Sequence, residues 1–146
     1  MRYQKLTNRL YSVNLHTGKT NFQFGRDVLC FLLVEQPCTE EFIQEQALQL
    51  LLSQCSSFDF YGAYSKQWDI GFDLVDIMLH PNGEGIALTS QWDDFDGFME
   101  ALELAVSVRS IVPFDVYLIY DDNALHNQVL DRLREFECIK RYNPKW

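Results

Sequence analysis

Basic residues are almost missing from the middle of this 146-residue chain. From residue 27 to residue 108 there is one, Lys66, against fifteen acids. Residues 1–26 show the reverse, with five bases (Arg2, Lys5, Arg9, Lys19, Arg26) and no acid, and residues 109–146 carry six of each. The net charge of −9 argues against nonspecific DNA or RNA binding, which needs a broad cationic surface. Long apolar runs are missing as well. A run such as residues 28–34 (VLCFLLV) is far short of the ~20 residues that span a bilayer. The basic start, MRYQKLTNRLYSV, lacks the apolar stretch of a secretion signal. A cytoplasmic protein with no membrane partner is expected.

Several chemical signatures are absent too. Cys30, Cys38, Cys55 and Cys138 contain no CxxC pair, which excludes the usual zinc framework and leaves reduced packing thiols, with Cys55 closing a helix-like run. Cys38 sits near a helix start, but Glu35, Glu40 and Glu41 surround it and disfavour a thiolate. No GxGxxG follows a strand, and there is no GxSxG elbow. The GKT of residues 18–20 lacks the earlier glycine of a phosphate loop, since Val13 holds that place, so it reads as a turn. The layout departs from phospho-acceptor receiver domains, because the strand ending at Tyr120 is followed by Asp121 rather than lysine.

What is present is an alternation of strands and helices. Residues 28–34 read as a strand buried on both faces. Thr39 caps the next helix, with Glu40 and Glu41 in its first turn. Ile43, Ala47, Leu50, Leu51 and Gln54 form its stripe, and Leu48 and Leu52 widen it. Residues 58–64 are the second strand, and Ser65 caps a helix with the stripe Trp68, Phe72, Val75, Leu79, flanked by Ile70, Leu74 and Ile77. His80, Pro81, Asn82 and Gly83 stop it. Residues 85–90 are the third strand. Asp93 or Asp94 then starts a helix carrying Phe98, Met99, Leu102, Ala105 and Val106. Residues 114–120 are the fourth strand, and Asp121 or Asp122 caps a helix bearing Leu125, Val129, Leu133 and Phe136.

This order predicts an α/β fold: a three-layer sandwich with a mostly parallel sheet of about four to six strands flanked by helices. Residues 10–15 and 21–24 flank a turn at 16–20 and predict an N-terminal hairpin or edge strands. One domain covers residues 1–146, divided into a basic arm (1–26), a βα core (27–137) and a tail (138–146).

Ligands of open parallel sheets bind beyond the carboxyl ends of the strands. Those ends carry Glu35, Tyr64, Trp92, Asp93, Asp94, Asp96, Asp121 and Asp122, the candidate binding residues. Trp92 has no periodic pattern assigning it to the core and is the leading contact residue. His126, on the same rim, reads as a surface histidine. Two functions follow. The first is an acidic binding protein without catalysis or cofactor, whose composition resembles that of inhibitors and immunity-type proteins directed at a basic partner. The alternative is a magnesium-dependent phosphoryl-transfer or phosphohydrolase enzyme, with Glu35, Asp94 and Asp121 holding Mg2+. Against it, each rim aspartate also suits a helix cap. Self-association, basic arm on acidic middle, would give a homo-oligomer.

Overall fold

The computed structural model describes residues 4–7, 10–16, 28–53, 55–83, 87–108 and 114–135. Six strands and four helices follow in the order β1 (Gln4–Thr7), β2 (Leu10–Asn14), β3 (Val28–Leu33), α1 (Glu40–Leu52), β4 (Cys55–Tyr61), α2 (Ser65–Leu79), β5 (Leu88–Trp92), α3 (Phe95–Val108), β6 (Asp115–Tyr120) and α4 (Asn123–Glu135). They build one sheet in the order β1-β2-β6-β3-β4-β5. All neighbours are parallel except β1 and β2. The fold is therefore α/β, with a mostly parallel sheet and an N-terminal hairpin.

Strand β3 shows why the sheet sits in the middle layer. Val28, Cys30 and Leu32 pack on one side with Ile43, Ala47 and Leu50 of α1 and Trp68, Phe72 and Val75 of α2. Phe31 and Leu33 pack on the other side with Phe98, Met99 and Leu102 of α3 and Val129 and Leu133 of α4. Alternating side chains of one strand thus feed two cores, which explains the unbroken apolar run. β3 and β6 are adjacent, yet the chain leaves β3 for α1 on one face and β6 for α4 on the other. That is a topological switch point.

Local chemistry fixes the helix starts. Thr39 Oγ1 accepts from the Phe42 N–H (3.1 Å), and Asp94 Oδ2 accepts from the Gly97 N–H (2.8 Å). Asp122, not Asp121, caps α4, its Oδ2 accepting from the Leu125 N–H (2.9 Å). Ser65 is not the cap of α2. It lies inside the first turn, Tyr64 is the cap residue, and no side chain caps that end.

Other expectations are corrected. The second strand ends at Tyr61, because Gly62 (φ 130) turns the chain so that the Tyr64 N–H reaches Val34 O at 3.0 Å. A side chain at Gly62 would meet Val34 O at 2.5 Å, so the turn requires glycine. Cys55 opens β4 rather than closing a helix, and its thiol lies 3.5 Å from that of Cys30. The third strand runs on to Trp92, held by pairing with β4 through Tyr61. β1 and β2 pair antiparallel as the N-terminal hairpin, with Thr7 opposite Leu10, and β2 then pairs with β6. Leu48, Leu52, Ile70, Leu74 and Ile77 do not widen the buried faces of their helices; all five are exposed. His126 is buried, stacked on Tyr120 with 3.7 Å between ring centres and 2.8 Å from Ser12 Oγ. Gln54, residues 17–27, Phe136 and the tail lie outside the described residues.

Candidate functional site

The switch point gathers three of the expected acids. Asp121 follows β6, and its own N–H donates to Leu33 O (3.1 Å) of β3. Its carboxylate reaches back across the crevice. Oδ1 accepts from the Glu35 N–H at 2.8 Å and Oδ2 from the Gln36 N–H at 3.0 Å. The Gln36 amide donates to Asp122 Oδ1 at 2.8 Å. Glu35 in turn accepts from the Ala63 N–H at 2.9 Å, tying the β3 exit to the β4–α2 turn. Partial burial pushes the Asp121 carboxyl up, and the two N–H groups pull it back. A crevice where an α/β fold holds a ligand is here laced by the chain's own carboxylates.

Beside it lies an open polar cavity of about 500 Å³, bordered by Glu35, Tyr61, Ser65, Lys66, Gln91 and Asp93. Gln91 spends its amide on Ser65 Oγ (2.8 Å) and Asp93 Oδ1 (2.9 Å). Burial pushes the Tyr61 phenol up, and the charges of Glu35 and Asp94 add to this. Opposite charges therefore share the wall, Lys66 against Glu35 and Asp93.

Trp92 is half-buried. Its indole N–H donates to Asp59 Oδ1 at 2.9 Å, and a Cβ at Gly97 would lie 3.0 Å from its ring. Asp59 was missed because its partner is 33 residues away. Tyr64 is also half-buried, packed against the α1–α2 core. Asp96 lies at the α3 start and pairs with Arg132 of α4 at 3.0 Å.

The expected magnesium set, Glu35, Asp94 and Asp121, is engaged with the chain's own backbone. Each member already accepts a backbone N–H, and among the described residues no three His, Cys, Asp or Glu side chains group as metal ligands. Cys38 is exposed, and partial burial of its thiol pushes its pKa up, away from the thiolate.

A different surface stands out on the α1–α2 layer. Helix α2 carries two apolar stripes. Trp68, Phe72 and Val75 are buried in the core, whereas Ile70, Leu74 and Ile77, also at helical spacing, face outward. Among the described residues, no helix is long and apolar enough to cross a membrane. Comparison with protein-family models, curated proteins and solved structures yields no match to this chain, so side-chain chemistry alone guides its functional reading.

Proposed function

We propose that this chain is a non-catalytic binding protein whose acidic surface receives a basic protein partner, in the manner of an inhibitor. One observation carries the reading. The exposed acids Glu40, Glu41 and Glu45 of α1 and Asp73 of α2 make no ion pair with lysine or arginine among the described residues. With Lys66 the single base of residues 27–108, this surface is an uncompensated negative field. Such a field accelerates encounter with a cationic protein and repels acidic ones.

The reading is tested by immobilising the chain and presenting extract of its source cells at graded salt. The retained proteins should be basic and should leave as ionic strength rises past about 0.2 M, where exposed charges are screened over less than ~10 Å. Retention without bias toward basic proteins, or without salt dependence, would sink it. Comparing Trp92→Ala and Asp93→Asn with the parent chain tells whether the strand ends take part.

A further inference from the structure

Resting on that reading, we infer that the partner docks as a cationic amphipathic helix along the groove between α1 and α2. Gly71 and Ile43 bring the two helices together, since a Cβ on Gly71 would sit 2.5 Å from Ile43 Cγ2. The resulting groove is shallow and mainly apolar, about 160 Å³, with Gln44 on one wall and Ile70 and Leu74 on the other. Leu48 lies one turn beyond Gln44 on α1, and Ile77 continues the α2 wall.

These side chains are well exposed: Ile70 59%, Leu74 48%, Ile77 62% and Leu48 41%. Contiguous exposed apolar side chains with polar borders mark interaction sites. Apolar rows at helical spacing are what a helix laid in a groove presents and receives. Glu40 lines the groove. Glu41 and Glu45 are exposed on α1 beside it, whereas Asp73 lies on the other flank of α2, where its carboxylate accepts from Thr89 Oγ1 of β5 at 2.7 Å.

The charge chooses the occupant. A second copy packed symmetrically here would bring Glu40, Glu41 and Glu45 of α1 toward the same acids of its partner, and like charges desolvated together oppose association. A helix with an apolar stripe bordered by lysine or arginine satisfies both features. The apolar row anchors it, and the acidic border on α1 orients it.

The probe is a synthetic helical peptide of about 15 residues, matched to the length of α2, with leucines on one face and lysines on the rest. Its control is a scramble of the same composition with no apolar face. Binding is followed by calorimetry at low and physiological salt. The chain should bind the amphipathic peptide and bind the scramble about tenfold more weakly. Ile70→Ser with Leu74→Ser should lose about tenfold, and Glu41→Lys with Glu45→Lys a similar factor. Equal affinity for both peptides, or full retention by the Ile70/Leu74 variant, would overturn the groove assignment. If Asp93→Asn with Asp96→Asn weakens binding instead, the cationic-partner reading survives and the docking surface lies at the strand ends. If neither peptide binds even at low salt, both fall. If light scattering shows a dimer that the Ile70/Leu74 changes dissolve, the occupant is a second copy and the helix proposal is wrong.

Discussion

The two helical layers are built alike on the inside and differently on the outside. Toward the sheet, α1–α2 and α3–α4 each bury a dense apolar face. Toward solvent, α3–α4 exposes one large apolar side chain, Leu104, among the described residues. Charge finishes that surface. Arg132 bonds Asp96, lies 5.5 Å from the Phe95 ring centre and tempers the partly buried Glu103 carboxyl, while Arg134 pairs with Asp131. The α1–α2 layer exposes Leu48, Leu52, Ile70, Leu74, Ile77 and Met78, with no lysine or arginine bridging its acids among the described residues. An exposed leucine adds little to folding, so the difference between layers speaks to partners and not to stability.

The largest effect tests the inner likeness. Phe72 under α2 and Phe98 under α3 are both fully buried among rings. Phe72→Ala and Phe98→Ala should each cost about 3–5 kcal/mol, through lost burial and the cavity left behind. Urea unfolding monitored by tryptophan fluorescence reads both. A cost below about 1 kcal/mol for one alone would mean that its layer is not a true core.

The next effect is confined to the α4 side. Burial, reinforced by the charge of Arg134, lowers the His126 pKa to about 4. In the unfolded chain the ordinary value is about 6.5. Between those values the unfolded state takes up a proton that the folded state refuses. Stability present above about pH 6.5 is therefore lost as pH falls toward 4, by on the order of 2–3 kcal/mol. Asp59 and Asp121, raised by burial, act in the opposite sense over acid pH. Comparison with His126→Leu isolates the histidine. Its urea midpoint should fall less than the parent's between pH 7 and pH 4.5, and parallel curves would show that His126 titrates normally.

How legible was this in the chain? Thr39 and the pair Asp93 and Asp94 announced their helices, because capping is local and uses a residue type that does little else there; the structure selects Asp94. The apolar run of β3 announced a central parallel strand. Other features depend on neighbours far along the chain. Asp121 joins N–H groups 86 and 85 residues away, so its role follows only from β6 lying beside β3. His126 meets Ser12 across 114 residues and is buried because β2 pairs with β6. The spacing of Ile70, Leu74 and Ile77 was plain, but not their exposure. A stripe is buried only if another element covers it, and α1 covers just one flank of α2.

Asp121 gives the third comparison, between a rim acid that ties loops and a helix acid that faces solvent. Asp121→Ala removes two hydrogen bonds from the Glu35 and Gln36 N–H groups to a carboxylate and should cost about 1–2 kcal/mol, water replacing part of the loss at these exposed residues. Glu45→Gln, on exposed α1, should stay within about 0.5 kcal/mol. Paired thermal melts read the contrast, and equal shifts would remove the distinction between the two kinds of acid.

The smallest effect on stability sharpens the outer difference most. Ile70→Ser and Leu74→Ser remove apolar surface that is already about half in water, so little burial is lost on folding. Both sit mid-helix, where serine is a poorer helix former than leucine by a few tenths of a kcal/mol. The expected change is about 0.5 kcal/mol or less for each, with the same urea slope. Leu104→Ser on the other layer should match it. The layers then differ in one readout only: the α2 changes should reduce binding of a hydrophobic dye or an amphipathic cation, and the α3 change should not. If Ile70→Ser instead cost about 2 kcal/mol, part of the chain outside the described residues would be folding against α2, and the open face would be the chain's own.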